Sequence, residues 1–122
     1  MEDFVDEFVK AYYDVFDGED RTDICSFYRD GSYMTYTGTS LEGPKEIKHH
    51  LEETVQYKTI EHHVSNCDGQ PSVGDGVNIL VTGHVVMDDD DDTPLAFAEF
   101  FHLLEDDDGE WFITNSVFSL TI

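Results

Sequence analysis

The chain has 122 residues, 39% hydrophobic and 13% aromatic, a length and composition typical of a single domain, and we predict one domain over residues 1–122. Its 28 acidic residues face only six lysines and arginines, so the formal net charge is -22. That charge repels phosphate backbones and anionic lipid, which argues against nucleic acid and membrane surfaces as partners.

An amphipathic helix is predicted from about Asp3 to Phe16. Apolar side chains recur there at intervals of three and four residues, with acidic residues opposite. The Asp17-Gly18 pair ends this helix, and Asp20 or Thr22 can cap a second, short helix that stops before Gly31. The apolar face of the second helix comprises Ile24, Phe27 and Tyr28.

A strand and a third helix follow. Alternation from Tyr33 to Thr37 predicts the strand. Gly43-Pro44 opens the third helix, because proline is favoured at the first helical position, and this helix ends near Thr54. Ile47 and Leu51 are expected to face inward.

The second half of the chain is predicted to form long strands, because its apolar period changes from 3.6 to 2. Asp68 to Gly76 is predicted to be a loop, and the Asp108-Gly109 turn precedes the last strand. The strands are expected at about Thr59 to Asn66, Val77 to Met87, Leu95 to Leu104 and Trp111 to Thr121.

These elements predict an α+β domain in which a strongly bent antiparallel sheet leaves a cavity between itself and helices gathered on one face. Both faces of the Leu95 to Leu104 strand are apolar. Monomers rarely leave such patches in water, so we expect the other face of the sheet to meet a second copy of the chain. The sequence therefore predicts a homodimer.

The most unusual stretch is the run of five aspartates at positions 88–92, which leads into an apolar, aromatic segment. Like charges this close repel one another and resist pairing in a sheet, so the run is expected to be a solvated connection between strands. Acidic groups beside apolar sequence suit a site that attracts a basic partner by charge and holds it by burial. Solubility alone, or a high-salt habitat, would also account for the charge.

Aromatic residues on the predicted strands are either core residues or the rim of a pocket beside the acidic run. A pocket that buries one phenylalanine gains roughly 2 to 3 kcal/mol, whereas an exposed ion pair gives at most about 1. We therefore expect the aromatic groups to supply affinity and the carboxylates to supply orientation. The aromatic residues in question are Tyr36, Phe97, Phe101, Trp111 and Phe118.

Metal and catalytic motifs are weak in this sequence. Asp88, Asp90, Asp92 and Glu99 match positions 1, 3, 5 and 12 of a calcium-binding EF-hand loop, but Thr93 stands where that loop needs glycine. The histidines and the two cysteines lack metal-site spacing, and no hydrolase, phosphate-loop or dinucleotide motif is present. We therefore expect no specific metal site, and the signals for an enzyme are weak.

The chain also carries no signal peptide or long apolar run, and we expect a soluble, unprocessed protein with reduced Cys25 and Cys67.

A collinear set of short segments resembles one known family. These segments include Tyr12-Tyr13, Asp20-Arg21-Thr22, Phe27-Tyr28-Arg29, Met34-Thr35-Tyr36, Leu41-Glu42-Gly43, Thr82-Gly83, Phe101-His102-Leu103 and Thr114-Asn115. In this order and spacing they resemble the nuclear transport factor 2 family over nearly the whole chain. The resemblance implies a cone-shaped, strongly bent sheet packed against three helices, the cystatin-like roll, and a homodimer without catalysis or cofactor.

The resemblance also implies a function. Such a carrier binds the GDP form of the small GTPase Ran, touches phenylalanine-glycine repeats of nucleoporins and returns Ran to the nucleus. The expected location is therefore the cytoplasm, the nucleus and the pore complexes of the nuclear envelope.

Site residues follow from the resemblance position by position. In the family, a phenylalanine of Ran enters the cavity while basic Ran side chains meet acidic groups at its mouth. The nucleoporin-repeat position aligns with Met1, and Phe4 and Phe8 are nearby substitutes. The Ran-binding positions are Tyr36, Val55, Ile60, Asp88, Asp90, Ala96, Val117 and Phe118.

Two departures from the family pattern concern the Ran contacts. Thr37 follows Tyr36 where the family usually has an acidic residue, which removes one expected ion pair. Ser116 and Ser119 replace an acid and a base near the cavity.

Two other functions share this fold. A ketosteroid-isomerase-like enzyme would need a cavity carboxylate or histidine with a perturbed pKa, and His84 and Tyr12 are the residues to examine. The small subunit of a messenger RNA export heterodimer would not need the Ran contacts. An open aromatic mouth beside Asp88 and Asp90, together with a homodimer, would favour the carrier.

Overall fold

The computed structural model describes residues 1–53, 59–88, 90 and 92–121. The first half holds helix α1 (Glu2–Phe16), a 3-10 helix (Arg21–Phe27), strands β1 (Tyr28–Tyr36) and β2 (Thr39–Glu42) and helix α2 (Gly43–Glu53). The second half holds β3 (Ile60–Pro71), a 3-10 turn (Val73–Asp75), β4 (Val77–Met87), β5 (Leu95–Glu105) and β6 (Trp111–Leu120).

The described strands form one open, mixed sheet in the order β2-β1-β6-β5-β4-β3. Neighbouring strands are antiparallel except β1 and β6, which run parallel with Tyr36 opposite Phe118. Register shifts in β3 and between β5 and β6 mark bulges, which bend strands. The predicted α+β fold, a bent sheet against three helices, is confirmed, with one parallel pair added.

Helix α1 follows its apolar period and buries one face against the sheet, and its predicted extent is confirmed within one residue. The helix approaches β3 closely where Val5 lies over Gly69. The absence of a side chain at Gly69 permits this contact, since a β-carbon there would overlap the Val5 methyl group. The buried side chains of this helix are Val5, Phe8, Val9, Tyr12, Tyr13 and Phe16.

The predicted second helix is a 3-10 helix. Asp20 caps it as predicted, since its Oδ1 accepts a hydrogen bond from the Thr22 amide at 3.1 Å. Tyr28 does not belong to this helix but opens β1, which corrects the prediction. The Tyr28 ring points into the core, where its hydroxyl lies 2.8 Å from that of Tyr12.

Strand β1 begins at Tyr28 instead of the predicted Tyr33 and ends at Tyr36 instead of Thr37. Two further strand segments differ from the prediction. Asp68 to Pro71 is not loop but the end of β3, paired with β4. Pro71 is tolerated because β3 lies at the edge of the described sheet, where one side of a strand needs no partner, and Gly69 leaves room for Val5. Strand β2 was not predicted. It folds back on β1 through Thr37 and Gly38, both with positive φ, as tight hairpins require.

The two faces of the sheet differ in burial. Phe97, Glu99, Phe101 and Leu103 of β5 are buried in the core that α1 and the 3-10 helix share. The alternate side chains face outward, where Leu80, Phe100 and Val117 lie side by side across β4, β5 and β6. Leu80 is 50% exposed and Val117 is 44% exposed.

Candidate functional site

An aromatic cluster occupies one end of the sheet. The rings of Tyr36 and Phe118 stack with centroids 4.8 Å apart, because β1 and β6 run parallel and bring these two residues opposite each other. Phe16 stacks on the Tyr36 ring at 6.1 Å, and Phe97 stacks on Phe118 at 5.5 Å. His50 of α2 contacts Tyr36 edge-on at 6.1 Å.

Ile60 and the aspartate turn adjoin the same end of the sheet. Ile60 is 3% exposed, begins β3 and pairs with Met87, the last residue of β4. This end of the sheet is formed by the carboxyl ends of β1, β6 and β4 and by the amino ends of β5 and β3. The ends alternate in this way because β6, β5, β4 and β3 are antiparallel to their neighbours in turn. The structure therefore brings Tyr36, Ile60 and Phe118 to the edge that carries the aspartates.

Asp88 joins the end of β4 to Thr59, just before β3, by hydrogen bonds, and it also contributes a negative charge. Its φ is 54°, in the left-handed region that asparagine and aspartate tolerate better than most residues. Its amide donates to the Thr59 carbonyl at 2.9 Å, and its Oδ1 accepts from the Thr59 amide at 3.2 Å. Asp90 closes the turn through its amide on the Met87 carbonyl at 3.1 Å, while its side chain is exposed.

Two further predicted Ran-binding residues, Ala96 and Val117, lie on the other face of the sheet. Ala96 and Val117 are exposed on the outer face, because each adjoins an inward-facing phenylalanine and adjacent strand residues point to opposite faces. Val55 lies outside the described residues. Strand alternation was readable from the sequence and separates Val117 from Phe118.

The predicted nucleoporin-repeat residues divide in a similar way. Phe4 packs against Trp111 with ring centroids 4.9 Å apart, and both line a cavity of about 360 Å³ together with Met1 and Pro71. Phe8 is buried, with its ring 5.6 Å from Phe101 in the core. Trp111, which the resemblance did not assign to this site, is the aromatic partner of Phe4.

Glu99 is a buried acidic residue that the sequence analysis considered only as an EF-hand position. It is 3% exposed and its Oε1 accepts a hydrogen bond from the Tyr13 hydroxyl at 2.8 Å. Burial raises the pKa of the Glu99 carboxyl to about 8, against the lowering effect of the Tyr13 hydrogen bond, so this carboxyl is protonated at neutral pH. The sequence did indicate this burial, because Glu99 is two residues from both Phe97 and Phe101 and therefore points to the same face of the strand.

The two residues named from the sequence as catalytic candidates are placed differently. Tyr12 is fully buried and shares a hydrogen bond with Tyr28, whose hydroxyl lies 2.9 Å from Ser116 Oγ. Burial raises the pKa of Tyr12 well above its usual value. His84 is exposed and stacks on His63 with centroids 4.8 Å apart. Tyr12 is therefore closed to a substrate, and His84 lies on the exposed side of β4 rather than in the core.

His62 is held by a carboxylate at the end of α1. Its Nδ1 lies 2.6 Å from Asp17 Oδ1, and its amide donates to Asp17 Oδ2 at 2.8 Å. The ring is 1% exposed and stacks on Tyr13 at 4.3 Å. The Asp17 and His62 pair thus joins α1 to the start of β3.

Residues 1–53, 59–88, 90 and 92–121 contain neither a metal-binding cluster nor a membrane-spanning helix. No group of three or more histidine, cysteine, aspartate or glutamate residues in this part of the chain is arranged to hold a metal ion. No helix among the same residues combines the length and apolar character that crossing a bilayer requires.

Comparisons with known proteins agree on one family. Residues 4–120 match the family described as the nuclear transport factor 2 (NTF2) domain. Nuclear transport factor 2 of Neurospora crassa is 34% identical over 116 residues, which cover 95% of this chain and 91% of that protein. The solved structure of nuclear transport factor 2 from Cryptosporidium parvum superposes with a TM-score of 0.90 at 27% identity, covering 98% of this chain and 94% of that one.

The same fold occurs in proteins of other kinds. A putative scytalone dehydratase from Novosphingobium aromaticivorans superposes with a TM-score of 0.78 at 15% identity, covering 97% of this chain and 82% of that one. Similarity at that level concerns the fold alone.

Proposed function

The chain belongs to the nuclear transport factor 2 domain family, and on that premise we propose that it is a non-enzymatic nucleocytoplasmic carrier of Ran in its GDP form. The observation that carries this proposal is the meeting of Tyr36, Ile60 and Phe118 with the Asp88 and Asp90 turn at one end of the sheet. A buried aromatic cluster beside exposed carboxylates suits a partner that offers a phenylalanine flanked by basic side chains.

The two parts of the site contribute differently. A phenylalanine bound at this cluster would gain roughly 2 to 3 kcal/mol on burial. Tyr36 and Phe118 are 5% and 2% exposed and stacked on each other, so the cluster has to open to admit that ring. Each exposed carboxylate contributes at most about 1 kcal/mol to an ion pair but raises the association rate at low salt. Affinity then resides in the aromatic cluster and rate in the aspartates.

Nucleoporin repeats would bind at a different place. The cavity between Phe4 and Trp111, with Met1 at its rim, has a volume of about 360 Å³, enough to receive a phenylalanine ring. Phe8 supports this surface from within the core rather than by contact. A carrier that binds both Ran and the pore repeats is expected in the cytoplasm, in the nucleus and at nuclear pore complexes.

The outer face of the sheet is the proposed homodimer interface. Leu80, Phe100 and Val117 form an apolar row there, and Ala96 adds to the same face. Partly exposed apolar rows of this kind are typical of protein interfaces. Val117 would then serve the dimer, whereas Phe118 serves the Ran site.

Retention on immobilised Ran tests the function. We expect the protein to be retained by Ran loaded with GDP and not by Ran loaded with a GTP analogue. Comparable retention by both forms, or by neither, would overturn the proposal. Size-exclusion chromatography with light scattering measures the dimer in the same preparation.

Neutral variants of the turn test the site. Asp88→Asn with Asp90→Asn removes two charges while asparagine still tolerates the left-handed φ and offers an oxygen to the Thr59 amide. We expect Ran-GDP binding to weaken roughly 5- to 30-fold, since each exposed pair gives up to about 1 kcal/mol. The matched control is Asp107→Asn with Asp108→Asn, in the turn between β5 and β6. Equal effects of the two double variants would show that net charge alone matters.

An enzyme is the second candidate, favoured by the raised pKa of Glu99. A buried carboxyl of this kind serves catalysis only when substrate reaches it, and Glu99 is 3% exposed with the Tyr13 hydroxyl on its Oε1. The carrier proposal accounts for the aromatic cluster and for the exposed aspartates, whereas the enzyme proposal accounts only for Glu99. The small subunit of an export heterodimer would appear instead as a chain that neither self-associates nor retains Ran.

A further inference from the structure

A groove runs between α1 and β3, on a different side of α1 from the Phe4 and Trp111 cavity. Its volume is about 290 Å³. Strand β3 lies at the edge of the described sheet, so the groove opens beside an edge strand. None of the residues assigned above to Ran, to the repeats or to the dimer lines it.

The floor of the groove is apolar. Val9 and Tyr13 of α1 form its buried part, and Cys67 of β3 is half-buried beside them. Val64 of β3 is 43% exposed and lines the same groove. A bulge follows Val64 and shifts the register of β3. A ligand that covers the Val64 side chain removes apolar surface from water, which favours binding.

The rim of the groove is acidic. Asp6, Asp14 and Asp17 line it against one lysine, Lys10. The Lys10 ammonium lies 2.7 Å from Asp14 Oδ2, which marks a position that a positive group occupies in this structure. Both side chains are mostly exposed, and an exposed pair of this kind contributes little to stability, so a ligand cation can replace it.

Both ends of the groove are fixed. At one end Asp17 holds the ring and the amide of His62. At the other end Val5 lies directly on Gly69. A groove bounded by such contacts is preformed, which lowers the free-energy cost of ordering it when a ligand binds.

We propose that this groove binds an extended basic segment of a partner protein, in which lysine or arginine alternates with an aliphatic residue. The aliphatic side chain covers Val64 and Val9, and the cations lie against Asp6 and Asp14. A metal ion fits less well, because the described carboxylates here do not form a group able to hold one. The proposal does not depend on Ran binding, since it uses none of those residues.

Nuclear magnetic resonance with a defined probe tests the groove. The probe is the blocked peptide acetyl-Lys-Val-Lys-Val-Lys-amide, titrated into the full isotope-labelled chain at low salt. We expect the largest amide shifts at Val9, Val64 and Cys67, and no binding by the matching peptide with glutamate in place of lysine. Shifts spread evenly over the acidic surface would overturn the proposal.

Matched variants separate the groove from general charge attraction. Val64→Arg should weaken the peptide complex about fivefold or more, whereas Val73→Arg, at an 81% exposed valine in the turn before β4, should not. Asp6→Asn with Asp14→Asn should weaken binding more than Asp3→Asn with Glu7→Gln, which makes the same charge change on the same helix. Equal losses within either pair would refute the site.

Discussion

The interior and the rim of this protein use the same chemical group in opposite ways. Glu99 is enclosed beside Tyr13, and burial lifts the pKa of its carboxyl to about 8. Asp90 and Asp92 carry the same group on an exposed turn between β4 and β5. Burial makes the carboxyl a neutral hydrogen-bond partner, whereas exposure to water leaves it charged and able to contribute to the electrostatic field around the protein.

The difference has a physical cause in the cost of desolvation. A charged carboxylate loses most of its hydration in the core, so the proton stays on Glu99, and the Tyr13 hydroxyl satisfies one of its oxygens. At the rim, water solvates each carboxylate and salt screens it. Interior and rim should therefore respond differently to pH and to substitution.

The largest expected effect is a loss of stability as pH rises. The folded pKa of Glu99, about 8, lies above the reference value of 4.5, so between these values the folded chain keeps a proton that the unfolded chain has lost. The contribution of Glu99 to the free energy of unfolding then falls by up to about 1.4 kcal/mol per pH unit. Urea unfolding from pH 5 to 9 measures it.

Glu99→Gln is the matched control for that pH series. Glutamine keeps the shape and the acceptor for Tyr13 but cannot ionise. We expect the fall in stability with pH to flatten in this variant. An unchanged slope would mean that Glu99 is ionised in the folded protein and that the interior does not differ from the rim.

A smaller effect is expected for Tyr13→Phe. Removing the hydroxyl leaves Glu99 Oε1 without this donor, which costs about 1 to 2 kcal/mol and more above pH 8, where the carboxylate would need it. The pKa of Glu99 should rise further, because the hydrogen bond lowers it. A carbon-13 titration of the Glu99 carboxyl follows this shift, with Tyr33→Phe, at a half-exposed tyrosine, as the control.

The smallest effect is expected at the rim. Asp90→Asn with Asp92→Asn should change the free energy of unfolding by less than about 0.5 kcal/mol, because both side chains are exposed and the Asp90 hydrogen bond in the turn comes from its backbone. The same urea series measures it. A change as large as that of Tyr13→Phe would show that the rim carboxylates also hold the fold.

Local pattern accounts for much of the fold. The apolar period predicted α1, and alternation predicted β4, β5 and β6 nearly to their ends, because these signals depend only on neighbouring residues. The parallel pairing of β1 with β6 did not follow, since periodicity carries no information on which strand is the partner. The strand at Asp68 to Pro71 was missed because its composition is that of a loop, and edge position tolerates it.

The candidate site was predictable in part. The acidic run and the aromatic residues were evident from composition, and the resemblance assigned Tyr36, Ile60 and Phe118, which the structure brings to one end of the sheet. It also assigned Val117, which alternation places on the outer face beside Phe100. Glu99 was overlooked as a core residue because acidic residues are expected in water, although its position between Phe97 and Phe101 indicated the core.

The pairing of Tyr36 with Phe118 also sets the order in which the chain can fold. More than half of the sequence separates these residues. The side of β1 opposite β2 therefore stays unpaired until β6 has been synthesised and has folded against it. Contacts between such distant segments have a high loop-closure entropy, which predicts folding in milliseconds to seconds rather than microseconds. During synthesis, β1 and β2 therefore leave the ribosome with an unpaired edge that only the arrival of β6 covers.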